Sequence, residues 1–303
     1  MGPMQTPHKP LFRFAHISDL HFSKLQWSPS QFFSKRWLGN LNVCCVRKAM
    51  YDPEGLTTLF PLFHEHKVDT VLITGDLSST SHPDEFALAK QFIEGLREEK
   101  FQIFTLPGNH DHYTKAAYRD KVFYDFFPSR YEEKAKFTLK NEGITTTSLG
   151  NHWWLCALDT ALATSLISSQ GFFSSELEAR LESTLKKIPE GDRVILLNHF
   201  PFFSNESSRK ELLRKEALRA LLERFSPIVK LFLHGHTHRH CIADLRNSSL
   251  PIILDSGSTS SKKEGSWNLV EISSQGCSVE AFKNSTEEGC SSWKSFSKSF
   301  FHW

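Results

Sequence analysis

Short apolar runs bounded by turn residues recur along the chain, at Leu11 to Ile17, Val68 to Thr74, Phe101 to Leu106, Arg193 to Leu197 and Val229 to Leu233. Continuous rather than alternating, they read as strands buried on both faces. Between them the apolar period lengthens to that of a helix: over Pro53 to Glu65, with Pro in the first turn, over Pro83 to Glu99, over Ser174 to Lys187, and over Ser207 to Phe225. In the last of these Leu212, Leu213, Ala217, Ala220, Leu221 and Phe225 are the apolar positions. This βα rhythm predicts an α/β fold with a mostly parallel sheet and functional groups at the carboxyl ends of its strands. Phe137 to Leu139, Ile144 to Leu149 and His152 to Asp159, separated by Asn-Glu-Gly and Gly-Asn turns, predict an antiparallel passage. Further strands are expected at His240 to Leu245, Pro251 to Leu254, Trp267 to Ile272 and Ser278 to Phe282.

Two segments break the rhythm. From Ser23 to Tyr51 there is no acidic residue, while Lys24, Lys35, Arg36, Arg47 and Lys48 are interleaved with Trp27, Phe32, Phe33, Trp37, Leu38, Leu41 and Val43. Phe33, Trp37, Leu38 and Leu41 have helical spacing, which suits a helix packed on the core as well as one that lies on an anionic membrane or holds an amphiphile. After Gly289 the chain again lacks acids, and Trp293, Phe296, Phe300 and Trp303 recur at helical spacing among Lys294 and Lys298. That pattern predicts an interfacial helix, with a core-packed or disordered terminus as the plainer reading. The expected organisation is one domain over 1–283, with the basic, aromatic insert at about 23–51 and a tail over 284–303.

Composition narrows the picture. A chain of 303 residues with a formal charge of +2 gives no global case for nucleic-acid binding. Six scattered cysteines without a C-x-x-C pair suit reduced thiols in the cytoplasm. No run has the length of a membrane-spanning helix, and Met1 to Phe14 lacks the apolar core of a signal peptide.

Chemistry collects at the strand ends. In chain order they supply Asp19 and His21, Asp76, Asn109, His199, and finally His236 and His238. Each alone has a bland explanation, but the ordered set is improbable by chance. Carboxylate, amide and imidazole donors without cysteine suit a divalent ion such as Mn²⁺, Fe²⁺ or Zn²⁺. Seven donors are too many for one ion and fit two, with Asp76 as a natural bridge.

Asp19-x-His21, Gly75-Asp76, Gly108-Asn109-His110-Asp111, Asn198-His199 and Gly235-His236-Thr237-His238 resemble the five signature blocks of the calcineurin-like metallophosphoesterases. The resemblance implies a four-layer sandwich of two mixed sheets flanked by helices. It implies one metal held by Asp19, His21, Asp76 and His238, and a second held by Asp76, Asn109, His199 and His236. It also implies that His110 contacts the phosphate and protonates the leaving oxygen, with Asp111 orienting it. Asp255-Ser256-Gly257-Ser258 stands where many members carry Asn-Pro-Gly-Ser, with local loop consequences expected. His234 and His240 match no ligand of the family.

The blocks leave the substrate open. Lys35-Arg36-Trp37-Leu38-Gly39, followed by Leu41-Asn42, resembles the subgroup that cleaves UDP-2,3-diacylglucosamine in lipid A synthesis, in its chlamydial-type form. The better-known form has Arg where His110 stands. This likeness implies attack of a metal-bridging hydroxide on the pyrophosphate, giving UMP and 2,3-diacylglucosamine 1-phosphate, with two Mn²⁺ ions as cofactor. Lys35, Arg36, Trp37, Arg47, Lys48, Trp293, Phe296 and Phe300 would then meet substrate or membrane. A peripheral enzyme on the cytoplasmic face of the inner membrane, with no obligate protein partner and no nucleic acid, is the expectation. A class III cyclic-nucleotide phosphodiesterase is the alternative, and a non-catalytic scaffold of the same fold is a third reading.

Overall fold

The computed structural model describes residues 10–24, 50–163, 168–203, 207–287 and 290–303, with side chains 286–291 set aside. Its strands, in chain order, are β1 (Phe12–Ile17), β2 (Thr70–Ile73), β3 (Gln102–Thr105), β4 (Ile144–Gly150), β5 (Trp153–Leu158), β6 (Gly171–Phe172), β7 (Arg193–Leu197), β8 (Leu212–Leu213), β9 (Val229–His234), β10 (His240–Asp244), β11 (Ile252–Ser256), β12 (Ser266–Ile272), β13 (Gly276–Glu287) and β14 (Cys290–His302). Two mixed six-stranded sheets result, in the orders β14-β13-β12-β1-β2-β3 and β10-β11-β9-β7-β5-β4. Strands β1, β2 and β3 are parallel, as are β5, β7, β9 and β11, so their carboxyl ends open on one side.

Near-continuous apolar strands require cover on both faces, and the structure supplies it. Phe14, Leu72, Phe104, Leu155, Ile195, Leu231, Leu254 and Val270 interleave between the sheets. On one outer face Ile17, Val71 and Ile73 pack under α1 (Leu59–Glu65) and α2 (Pro83–Glu98) through Phe63, Phe86 and Phe92. On the other, Leu196 and Phe232 meet α3 (Ser175–Leu185) and α4 (Lys215–Arg224) through Leu181, Leu218 and Leu222. The layers are therefore helix, sheet, sheet, helix.

Three local expectations change. The chain at 207–225 is not one helix: Leu212–Leu213 pairs in parallel with Gly171–Phe172, Arg214 adopts φ 60°, and the helix begins at Lys215. Phe137 to Leu139 is no strand, because the Thr138 hydroxyl accepts from Asn141 N and caps a short helical turn, Leu139–Glu142, which Gly143 ends at φ 72°. Pro53 to Glu65 splits into a 3₁₀ turn, Glu54–Thr58, and α1.

The largest change is at the C-terminus. The expected interfacial helix is β14, paired antiparallel along β13, and β13 runs straight through the expected domain boundary at residue 283. The 3-4-3 aromatic spacing places Phe296 and Phe300 on one face of the strand, both about half exposed, and Trp303 on the other. Trp303 packs on Trp153 at 5.2 Å between ring centroids, donates from Nε1 to Ser273 O at 2.9 Å, and lies 4.9 Å from the Arg193 guanidinium. Trp293 Nε1 donates to Thr58 Oγ1 at 3.0 Å. Both tryptophans thus belong to the fold. Trp303→Ala should lower stability by about 2 kcal/mol in urea unfolding while leaving metal binding intact, since the site lies elsewhere.

Candidate metal centre

Five strand ends from both sheets converge. Asp19 and His21 follow β1, Asp76 follows β2, Asn109 and His110 follow β3, His199 follows β7, and His236 and His238 follow β9. The ligand-type atoms of Asp19, His21, Asp76 and His238 lie within 4.8 Å of one another. Asp19 Oδ1 is 3.0 Å from His238 Nε2 and 3.8 Å from His21 Nε2, and those nitrogens are 3.2 Å apart. A second group surrounds Asn109 Oδ1, which is 3.1 Å from His199 Nε2 and 2.9 Å from His236 Nδ1. Asp76 Oδ1 lies 3.6 Å from His199 Nε2 and so reaches towards this second group as well.

Lone pairs crowded in this way repel unless something positive lies between them. Asp19 carries the sign of that occupant. Its Oδ2 accepts from Ser18 Oγ at 2.6 Å and from His236 N at 3.1 Å, whereas Oδ1, also buried, accepts no hydrogen bond among the described residues. An orphaned buried carboxylate oxygen beside two imidazole nitrogens fits a divalent cation. Carboxylates, amide and imidazoles without thiolate suit a hard or borderline ion; they do not choose which.

The backbone is strained to make this fit. Asp19, His21, Asp76, His236 and His238 all have left-handed φ, between 49° and 70°. Such residues cost on the order of 1 kcal/mol or more each and persist only where the surroundings hold them. Here Asp19 N donates to Gly75 O and His21 N to Asp76 O, each at 3.0 Å. Ser258 Oγ and Ser260 Oγ both donate to Asp19 O, at 2.8 and 3.1 Å. Gly235 and Gly108 supply room: a Cβ at Gly235 would collide with Ser18 Oγ and Asp19 Oδ2, and one at Gly108 with Asp76 Oδ1.

Outer partners set the imidazole faces. His199 Nδ1 donates to Thr74 O at 2.7 Å, and His236 Nε2 to Lys210 O at 2.8 Å, which turns the other nitrogen of each inward. Tyr51 Oη lies 3.2 Å from His238 Nδ1, with its ring 4.7 Å from that of His21. His110 Nδ1 donates to Ser79 O at 2.8 Å, which leaves Nε2 as the ring nitrogen not held by that carbonyl, and Tyr113 stacks on the ring at 5.5 Å.

Electrostatics agree with metal ligation. Burial works against charge on Asp19, but His238, His199 and His21 outweigh it and hold the carboxyl well below the usual range. Burial lowers His199, and burial together with His199 pushes His236 down to about 3. These imidazoles are therefore neutral at pH 7, the state in which they ligate.

The calcineurin-like phosphoesterase model matches residues 12–240. The chain belongs to the calcineurin-like phosphoesterase family. It is 28% identical over 176 residues to a 3',5'-cyclic adenosine monophosphate phosphodiesterase of Vibrio vulnificus, covering 56% of this chain and 55% of that one. It is 22% identical over 238 residues to a glycerophosphodiester phosphodiesterase of Enterobacter lignolyticus, covering 78% and 74%. The chain thus spans about half the length of the Vibrio relative it matches. In fold it resembles a dimetal phosphatase from Danio rerio, with a TM-score of 0.65, 13% identity and 89% and 96% coverage.

Against the family pattern, the structure gathers all seven expected ligands, and His110 beside them. It corrects the role of Asp111. Oδ1 of Asp111 accepts from Ser78 N and Ser78 Oγ, and Oδ2 from Leu77 N and Gly108 N, all within 3.1 Å. Asp111 staples two ligand-bearing loops together, and His110 is oriented by Ser79 O instead. Asp255 is more than a loop variant: fully buried, it accepts from Thr237 Oγ1 at 2.5 Å and from Gly257 N at 2.8 Å, and so supports the loop bearing His236 and His238. His234, 3.3 Å from Asp255, is a core residue that burial holds at about 4. Lys35, Arg36, Trp37, Arg47 and Lys48 lie outside the described residues. Tyr51 was not expected at the centre; only its place at the end of the acid-free segment pointed that way.

Asp76→Ala should reduce both metal content and phosphodiester hydrolysis to background, measured by elemental analysis and a chromogenic diester assay; near-normal values would refute a shared ligand. A second expectation concerns pH. His234 is held at about 4, so below pH 6.5 the unfolded chain takes up a proton that the native state refuses, and stability falls with pH. Between pH 6.5 and 5 this group alone removes about 2 kcal/mol. In metal-free protein, His234→Asn should flatten the pH dependence of urea unfolding by that amount; an unchanged slope would refute it.

Proposed function

We propose that this protein hydrolyses a phosphorus centre carrying two substituents, as a two-metal phosphodiesterase. The observation that carries the proposal is the pair of ligand groups sharing Asp76, with His110 at their edge. Asp19, His21, Asp76 and His238 would hold one divalent cation, and Asp76, Asn109, His199 and His236 the other. When bound, such a pair supplies Lewis acidity towards a phosphoryl oxygen and lowers the pKa of water. The chain's own contribution is to hold His199 and His236 neutral and turned inward. His110, held through Nδ1 by Ser79 O, would give a proton from Nε2 to the departing oxygen when its ring is in the imidazolium form. Relatives that act on cyclic AMP and on glycerophosphodiesters support a small, soluble diester as substrate.

A second reading, the pyrophosphate of UDP-2,3-diacylglucosamine, has its own support. The acid-free segment leaves and returns at the metal centre: Phe22 pairs with Ser78 just after His21, and Tyr51 reaches His238. An open groove of about 350 Å³ is also lined by His238, Arg239, His240, Glu264, Lys283 and Phe296, so it borders one candidate ligand and an exposed aromatic. Such a substrate would bring the protein to the cytoplasmic face of the inner membrane as a peripheral enzyme. No helix among the described residues is long and apolar enough to cross a membrane.

One panel separates the readings. With Mn²⁺ present, purified protein is offered bis(p-nitrophenyl) phosphate, cyclic AMP, a glycerophosphodiester and UDP-2,3-diacylglucosamine. Preferred turnover of cyclic AMP or the glycerophosphodiester supports the first reading, and release of UMP at higher kcat/KM supports the second. Failure to hydrolyse any of them would overturn the phosphodiesterase proposal and revive a non-catalytic scaffold.

A further inference from the structure

Three ring nitrogens turned away from the ligand groups have identified partners, and one partner differs in kind. His199 and His236 donate to backbone carbonyls, Thr74 O and Lys210 O. His238 meets a side chain, the Tyr51 hydroxyl at 3.2 Å from Nδ1. His238 is also about one-third exposed, while Asp19 and His21 are fully buried, so packing alone constrains its ring least. A ring that ligated a cation through Nε2, beside Asp19 Oδ1, would carry its proton on Nδ1, where the phenolic oxygen stands ready to accept it.

Residue 51 reaches the other ligands too. Its ring lies 4.7 Å from that of His21. Its backbone forms an antiparallel bridge with Ser261, reinforced by Asp52 N to Ser260 O at 2.7 Å and Lys262 N to Met50 O at 2.8 Å. The same 258–261 loop holds Asp19 O through Ser258 Oγ and Ser260 Oγ. Three ligands of one group are therefore braced, directly or through one loop, by the residue where the acid-free segment rejoins the described chain.

We propose that Tyr51 is a positioning residue for His238, fixing its tautomer and ring plane and so tying the affinity of the Asp19, His21, Asp76 and His238 site to the seating of the acid-free segment's end. The inference rests on the two-metal reading of the centre. Partners of this kind typically change metal affinity by tenfold or more when removed.

The test is Tyr51→Phe, which keeps the ring and removes only the hydroxyl. Mn²⁺ binding to the whole chain is followed by titration calorimetry, beside thermal unfolding of the metal-free protein and hydrolysis of bis(p-nitrophenyl) phosphate. The expected result is one site weakened about tenfold, an unchanged metal-free Tm, and turnover that recovers as Mn²⁺ is raised. Wild-type affinity in the variant would overturn the proposal. So would a matching fall in metal-free Tm, which marks a purely structural role, or a kcat that stays low at saturating Mn²⁺, which marks a role on substrate. A wild-type protein that binds no Mn²⁺ would sink the two-metal reading itself, an outcome distinct from failure of the Tyr51 assignment alone.

Discussion

Carboxylate, amide and imidazole groups crowded within a few ångströms of one another are the constraint on which this structure turns. Asp19 Oδ1, two imidazole nitrogens, the Asp76 carboxylate and Asn109 Oδ1 share a small volume at the mouth of two sheets. Holding them there demands five left-handed residues, two glycines with no space for a Cβ, and serine hydroxyls fastened to the Asp19 carbonyl. Local preference opposes nearly all of this. The parallel strands supply the rigidity that makes it tolerable, since every ligand sits within a few residues of a strand buried on both faces. Cations bound there would offset that strain, and so would belong to the energetics of the site as much as to its chemistry.

Much of this was legible because its signals are local. A buried strand announces itself as an apolar run, and a ligand as a polar residue just past its end. Both survive without knowledge of which strands are neighbours, so the layers and the convergence of the seven candidate ligands could be read in advance. The C-terminal segment could not. Aromatics spaced 3-4-3 satisfy a helical stripe, yet in a strand the same spacing simply sends Phe296 and Phe300 one way and Trp303 the other. What decides between them is the edge offered by β13, a contact made along the whole strand and invisible to periodicity.

Asp111 and Tyr51 show a subtler limit. Asp111 stands beside a histidine, and carboxylates often orient imidazoles, but its oxygens are saturated by four donors from Leu77, Ser78 and Gly108. Adjacency in sequence had suggested a partner that the loop geometry assigns elsewhere. Tyr51 is the converse: it lies 187 residues from His238, and only its bridge to Ser261 brings the two together. Residues that hold ligands, unlike ligands themselves, depend on registers between distant segments.

The division between a readable centre and a less readable surround bears on specificity. A core that held two cations and a phosphoryl group would ask nothing of the substituents on phosphorus, in keeping with relatives named for cyclic AMP and for glycerophosphodiesters. Discrimination must come from whatever borders the centre. Among the described residues one bordering group stands out: Tyr51, which closes the acid-free stretch of sequence and touches His238. On the two-metal reading, whatever engages Tyr51 and whatever ligates His238 would be coupled, each altering the other's affinity by the same factor.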